Sequence, residues 1–249
     1  MNPGLVSISF RKLSPAEILR LCEACGLQCI EWGGDIHVPA GDVKRAKEVA
    51  AMTAACGMKT AAYGSYFRLG QPDDDFRRNL DCACELQAPV LRIWAGLRGS
   101  RECTAEERQA WTEQLGRLAQ LGKTCGITVA PEYHINTLTD EPDSVQQLMK
   151  DLPEQQFYWQ PRWDRSEEER LNNLSQVADR LTHIHVFTWR IENGREIRLP
   201  LSEGEHMWQQ VIAGQPEDRC ALMEFVQEDD PDNLIRDAAV FRSWLRQNP

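Results

Sequence analysis

The chain has 249 residues, the usual size of one α/β barrel, and its 42% hydrophobic and 27% charged residues are typical of a globular protein with a full core. A net charge of −10 repels phosphate backbones, and no Lys/Arg block with interleaved aromatics relieves it, so nucleic acid is not an expected partner. The first residues lack a signal-peptide pattern, and no stretch approaches the roughly 18 apolar residues that span a membrane. We therefore expect a cytoplasmic protein with no membrane partner and a single domain, residues 1–249.

The chain contains nine cysteines, an odd number that does not indicate a disulfide framework. Cys22, Cys25, Cys56 and Cys125 lie in apolar-periodic segments, and we interpret them as small reduced core residues. Cys22 and Cys25 form a C-x-x-C motif, but no second pair at zinc-finger spacing accompanies it. Redox or metal function there is the minor alternative.

Strand and helix patterns alternate along the chain. The first predicted strand, Leu5–Phe10, is followed by a helix start at Ser14, with proline next and a capping-box glutamate at position 17. Gly26, Gly57 and Gly126 each end a helix immediately before an apolar strand. The later strands are predicted at 27–32, 58–63, 89–94, 127–134, 156–160, 182–187 and 220–225, and the helices begin near 14, 42, 73, 104, 142, 166, 205 and 231.

Eight strand–helix repeats without a flexible linker predict an α/β fold of the (β/α)8 TIM barrel type. An open doubly wound sheet usually stops at five or six strands, and it stays the alternative if a weak strand such as the sixth is misassigned. The pair Asn193-Gly194 also indicates a small hairpin turn between Trp189 and Ile197.

Four consecutive predicted strands end on a polar residue. Functional side chains of such barrels lie where the strands end, so we expect these four to meet on one side of the mouth. Two carboxylates, one imidazole and one carboxamide oxygen suit Mg²⁺ or Mn²⁺, with Zn²⁺ or Co²⁺ as alternatives. The four predicted metal ligands are Glu132, Gln160, His185 and Glu224.

Each of these residues also has a simpler interpretation. Glu132 or Glu224 could be a buried carboxylate paired with an arginine such as Arg92 or Arg190. His183 shares the strand parity of His185 and is interpreted as a hydrogen-bonded interior residue. The combination of the four residues, in order and at strand ends, favours the metal site.

The motifs APEYH around Glu132, HIHVFTW around His185 and ALMEF around Glu224, with EWGGDIHVP at 31–39, resemble the xylose isomerase-like barrel superfamily of sugar phosphate isomerases and epimerases. The resemblance implies that the four polar residues bind a divalent metal and that Glu132 and Glu224 are also the acid/base pair. Where these epimerases usually carry aspartate on the sixth strand, this chain has Gln160, which removes one negative charge. Where they often carry a substrate-binding histidine, it has Trp163.

The implied reaction is proton abstraction beside a carbonyl, through an enediolate, in a sugar or polyol, as in ketose/aldose isomerases and epimerases. A dehydratase of keto-sugars or keto-inositols and a non-catalytic sugar-binding barrel are the alternatives. A DNA repair endonuclease would need more zinc ligands and a basic face.

The sequence leaves open which sugar is the substrate and whether it is phosphorylated. It also leaves open the oligomeric state, and a homo-oligomer is one possibility. Candidate substrate-binding residues near the mouth are Trp32, His37, Tyr63, Trp94, His134, Trp163 and Arg190.

Overall fold

A computed structural model describes residues 1–247, so the last two residues of the expected domain lie outside the described part. Eight parallel strands with helices between them form a nearly closed barrel, which confirms the predicted (β/α)8 fold. The barrel strands are β1 (Asn2–Val6), β2 (Cys29–Gly33), β3 (Lys59–Arg68), β4 (Val90–Trp94), β5 (Thr128–Pro131), β6 (Phe157–Trp159), β7 (Leu181–Val186) and β10 (Cys220–Met223). The α-helices are α1 (Pro15–Ala24), α2 (Val43–Ala55), α3 (Asp73–Glu85), α4 (Ala105–Thr124), α5 (Pro142–Asp151), α6 (Glu167–Val177), α7 (Glu205–Ala213) and α8 (Pro231–Gln247).

The barrel closes between β5 and β6, which are the two ends of the strand order β5-β4-β3-β2-β1-β10-β7-β6. A single parallel bridge between Glu132 and Tyr158 spans this seam, and the Tyr133 backbone N–H donates to the Tyr158 carbonyl oxygen at 2.8 Å. The seam is therefore joined at the carboxyl end of β5, where Glu132 stands.

Local signals in the sequence form as predicted. The predicted capping box at Ser14 is complete, and capping boxes also form at Thr104 and Ser166. Each serine or threonine hydroxyl accepts from the backbone N–H three residues later. The predicted hairpin consists of β8 (Thr188–Glu192) and β9 (Arg195–Leu199), which pair antiparallel across Asn193-Gly194. Both turn residues have positive φ, as a tight hairpin turn of this kind requires.

The first strand ends earlier than predicted. The sequence indicates a strand over Leu5–Phe10, but β1 stops at Val6 and Ser7–Phe10 form a 3₁₀ turn. Ser7 is the reason, because its hydroxyl accepts from the Gly33 backbone N–H at 2.8 Å and lies 2.9 Å from His37 Nδ1. The chain therefore turns to hold the loop after β2 instead of continuing the ladder.

The cysteines are all free within the described chain, but they are not all core residues. Cys22 and Cys25 are buried as expected, whereas Cys56 and Cys125 are exposed. Cys56 and Cys125 are the C-cap residues of α2 and α4. Separately, none of the helices within residues 1–247 combines the length and apolar character needed to cross a membrane.

The barrel interior below the strand ends is filled mainly by small apolar side chains and one tyrosine, Tyr158. Small side chains leave room for the long polar side chains that project inward above them. The apolar cluster consists of Val6, Cys29, Ala61, Ala62, Val90, Ala130, Tyr158 and Leu222.

Candidate metal centre

Three of the predicted ligands converge at the carboxyl ends of the strands. Glu132 directly follows β5, His185 lies in β7, and Glu224 directly follows β10. His185 Nδ1 is 2.9 Å from Glu132 Oε1 and 3.1 Å from Glu224 Oε2, and all three side chains are buried. The parallel strands therefore bring together residues that are up to 92 positions apart in the sequence.

The converging atoms fit a divalent cation. His185 Nδ1 and Glu224 Oε2 are both buried and have no hydrogen-bond partner, although they lie close to each other. Buried polar atoms without partners are rare in folded proteins, and here an imidazole nitrogen and two carboxylate oxygens surround one point. Such a donor set binds Mg²⁺, Mn²⁺ or Zn²⁺, so the residues present suit the group that the sequence suggested.

Arg92 holds the carboxylate of Glu132 in place. Its Nη1 donates to Glu132 Oε2 at 2.8 Å, and the indole Nε1 of Trp94 donates to the same oxygen at 2.6 Å. Glu132 Oε2 is thus fully engaged, and Oε1 is left facing His185. The arginine pairing that was the alternative interpretation of Glu132 is present together with the candidate ligand arrangement.

Glu31, at the centre of β2, is a functional candidate that was not predicted from the sequence. It accepts hydrogen bonds from Arg92 Nε at 3.0 Å on Oε1 and from Tyr158 Oη at 2.5 Å on Oε2, and it is fully buried. His185 Nε2 lies 3.1 Å from Glu31 Oε2. The signal was a carboxylate in the middle of the otherwise apolar run CIEWG, which only strong inward partners can stabilise.

Gly64 in β3 provides the space for this network. A methyl group at its Cα would lie 2.2 Å from Glu31 Oε1 and 2.9 Å from Arg92 Nη2. Non-bonded heavy atoms do not approach as closely as the first of these distances, so the ion pair between Glu31 and Arg92 depends on a residue without a side chain at this position.

The charges of the network shift one another's pKa values. Burial disfavours the charged form of Glu31, but His185 and Arg92 outweigh it and lower the pKa of Glu31 to about 2. The pKa of Glu132 is likewise lowered, because Arg92 and His185 outweigh its burial. Burial opposes the imidazolium form of His185, yet Glu224 and Glu31 raise its pKa well above the ordinary value. Glu31 and Glu132 are therefore ionised and attract cations.

Two of the predicted substrate-binding residues line the mouth next to Glu132. Trp94 bonds to Glu132 directly, and the ring of His134 lies 4.9 Å from the Trp94 ring, centroid to centroid. Arg68, at the end of β3, also stacks on Trp94, with its Cζ 4.4 Å from the ring centroid. No pattern in the sequence singled out Arg68.

Trp163 belongs to an aromatic group on the opposite side of the mouth. Its ring lies 6.4 Å from Phe187, which packs with Trp189 and Phe225 at centroid distances of 4.7 to 5.1 Å. The indole Nε1 atoms of Trp163 and Trp189 are buried without a hydrogen-bond partner.

Three other predicted substrate-binding residues are hydrogen-bonded to neighbouring parts of the protein. Trp32 donates from Nε1 to Thr53 Oγ1 in α2 at 3.1 Å, because Glu31 takes the inward position and side chains alternate along a strand. Tyr63 donates from its hydroxyl to the Val38 carbonyl at 2.8 Å. His37 is occupied at both ring nitrogens, by Ser7 Oγ and the Leu13 carbonyl. These contacts are made within the protein, and a substrate-binding role for the three residues stays a prediction.

Arg190 and Gln160 are not part of the cluster that the structure shows. Arg190 is exposed on the hairpin, where its Nε lies 2.7 Å from Glu192 Oε1. Gln160 follows β6, shares the inward parity of Tyr158 and is half-buried. Its role as a fourth ligand stays a prediction. His183, by contrast, is the hydrogen-bonded interior residue that was expected, with Nε2 3.0 Å from the Ala61 carbonyl.

The fold and the cluster together define a class of (β/α)8 barrels with a buried Glu–His–Glu group at the carboxyl ends of the strands. A family model described as xylose isomerase-like TIM barrel matches residues 19–214, and the chain belongs to this family. No curated protein matches the chain.

Solved structures with the same fold cover nearly the whole chain at low sequence identity. The probable 3-DHS dehydratase AsbF of Bacillus anthracis, involved in petrobactin synthesis, is 19% identical with a TM-score of 0.81 and covers 97% of this chain and 99% of its own. A xylose isomerase-like TIM barrel protein of Mycobacterium smegmatis, in complex with magnesium, is 14% identical with a TM-score of 0.70, over 96% and 91% of the chains. A D-psicose 3-epimerase with D-fructose is 14% identical with a TM-score of 0.67, over 100% and 99%.

Proposed function

We propose that this chain is a divalent-metal-dependent enzyme that abstracts a proton beside a carbonyl of a small sugar or polyol, with ketose/aldose isomerisation or epimerisation as its reaction. The observation that carries the proposal is the convergence of Glu132 Oε1, His185 Nδ1 and Glu224 Oε2 without hydrogen bonds between them. Glu132, His185 and Glu224, with Gln160 as the fourth residue, would hold the metal. When bound, the metal supplies electrostatic stabilisation of the enediolate that forms as the proton leaves.

The two glutamates have unequal roles in this proposal. Glu132 is fixed by Arg92 and Trp94, and its lowered pKa makes it a weak base. In the described part of the chain no arginine or indole N–H bonds to Glu224, so the carboxylate oxygen that does not face the candidate metal can accept a proton from a substrate carbon. We therefore assign the first proton abstraction to Glu224 and a binding role, with at most a minor share of proton transfer, to Glu132.

This asymmetry bears on the type of reaction. Epimerisation by two bases requires a second group that returns the proton from the opposite face, and a carboxylate held by Arg92 is poorly suited to that step. A single base that moves a proton between neighbouring carbons gives an aldose/ketose change. The same single base gives dehydration when the neighbouring hydroxyl group leaves as water with the proton that the base returns, and a dehydratase is therefore the second candidate.

A solvent-exchange screen tests the proposal whatever the product of the reaction is. The purified protein, stripped with chelator and reloaded with Mg²⁺, Mn²⁺, Zn²⁺ or Co²⁺, is incubated in D₂O with ketoses, their phosphates, keto-inositols and 3-DHS. Metal-dependent deuterium incorporation at the carbon beside the carbonyl is the expected result. Analysis of the product then separates isomerisation from dehydration. A protein that binds no divalent metal would point to the non-catalytic sugar-binding alternative.

A further inference from the structure

The hydrogen bonds around Glu31 bear on how the candidate centre is oriented. Glu31 comes from β2, on the other side of β1 and β10 from His185 in β7, and its carboxylate reaches the imidazole across the barrel interior. Each of its oxygens faces donors only: Arg92 Nε on Oε1, and Tyr158 Oη with His185 Nε2 on Oε2. A carboxylate in such surroundings is held rigidly, because every movement would break a buried hydrogen bond.

The second ring nitrogen of His185 faces the opposite way. Nδ1 points at Glu132 Oε1 and Glu224 Oε2, neither of which has a proton to donate when ionised. A neutral imidazole has one N–H and one lone pair. Both nitrogens face carboxylates here, but only Nδ1 faces the point where Glu132 and Glu224 converge. A cation bound at that point would take the place of the Nδ1 proton, and Nε2 keeps its hydrogen towards Glu31.

We propose that Glu31 is a positioning residue that fixes the tautomer and ring orientation of His185, so that Nδ1 is the nitrogen that binds the metal. The inference rests on the proposed metal centre. Arg92 links this positioning residue to the candidate metal centre. Its guanidinium bonds both to Glu31, which orients His185, and to Glu132, which is itself a candidate ligand. Carboxylate partners of metal-binding histidines commonly act in this way.

The variant Glu31→Gln tests the role with almost no change in size. A carboxamide has one acceptor oxygen and one donor nitrogen, whereas Arg92, Tyr158 and His185 all require acceptors. The single carboxamide oxygen of the glutamine cannot accept from all three groups, so at least one of these donors loses its partner. The matched control is Tyr158→Phe, which removes one donor to Glu31 but leaves the bond to His185.

Titration of the chelator-treated proteins with Mn²⁺ by calorimetry gives the first readout. We expect Glu31→Gln to weaken Mn²⁺ binding by about 10- to 100-fold, and Tyr158→Phe to weaken it less. Circular dichroism and thermal unfolding show whether each variant is folded. Equal Mn²⁺ affinity of folded Glu31→Gln and the parent protein would overturn the proposal.

The second readout needs no substitution and holds even if Glu31→Gln does not fold. The ¹⁵N chemical shifts of the histidines, recorded on the parent protein loaded with Mg²⁺ or Zn²⁺, distinguish a protonated ring nitrogen from a metal-bound one. For His185 we expect a protonated Nε2 and a metal-bound Nδ1. Metal bound at Nε2 would overturn the proposal, while a parent protein that binds no metal would overturn the proposed function instead.

Discussion

Arg92, in the middle of β4, and Glu132, directly after β5, form a buried ion pair, with Nη1 2.8 Å from Oε2 and each side chain 3% exposed. The same carboxylate presents its other oxygen to His185. Glu132 therefore contributes both to the stability of the barrel and to the candidate metal centre, and substitutions should reveal the two contributions separately.

Glu132→Gln should destabilise the metal-free protein, because it leaves the buried Arg92 charge with Glu31 as its remaining close carboxylate. Removal of one partner of a buried pair costs about 3 to 5 kcal/mol, and the remaining pairing with Glu31 places the expected loss near the lower end. Urea unfolding of the chelator-treated protein measures it. Glu224→Gln is the comparison, since the close charged contact of Glu224 is with His185 and not with an arginine. Equal stability of the two variants would contradict the ion-pair argument.

Glu224→Gln should lower turnover on the substrate found by the exchange screen by about 10² to 10⁴, the usual loss for a catalytic acid or base. The expected reason is that a carboxamide cannot accept the substrate proton. Initial rates at saturating metal give the comparison. Glu217→Gln is a matched control, because Glu217 is an exposed glutamate in the loop before β10. Full activity of Glu224→Gln would remove Glu224 from the proposed mechanism.

Gly64→Ala should destabilise the protein and weaken metal binding together. The new methyl group would meet Glu31 Oε1 and Arg92 Nη2, and overpacking of a filled interior typically costs about 1 to 3 kcal/mol. Urea unfolding and Mn²⁺ titration measure the two effects. Gly214→Ala is the control, since nothing lies within 4 Å of a Cβ there and its φ is −96°. A Gly64→Ala protein with unchanged metal affinity would show that the network tolerates displacement.

Metal affinity should increase with pH in the neutral range. The pKa of His185 is raised above its ordinary value by Glu224 and Glu31, so below that raised pKa the imidazolium must lose a proton before Nδ1 can bind a cation. Affinity then rises with pH by up to about tenfold per unit and levels off above the raised pKa. Calorimetry in buffers of different ionisation enthalpy measures the proton released. Binding with no proton release between about pH 6 and 8, the range in which an ordinary histidine titrates, would contradict this assignment.

The sequence by itself determined the order and type of the elements, because those signals are local. A capping box at Ser14, a helix-ending glycine at Gly126 and the Asn193-Gly194 turn each act over a few residues, and each forms as predicted. The order of strands along a barrel follows from such repeats. The convergence of Glu132, His185 and Glu224 follows in turn, because the ends of parallel strands meet at one face.

The tertiary structure alone decided which partners each polar side chain has. Glu31 binds Arg92, 61 residues away, and His185, 154 residues away, and nothing in a local pattern encodes such pairings. The direction of the Trp32 side chain also depends on Glu31. Because Glu31 points into the barrel and side chains alternate along a strand, Trp32 points outward to α2. Alternation along a strand determines which residues share a face of the sheet. A charged side chain is stable in the interior only if the closed barrel brings hydrogen-bond donors from other strands to it.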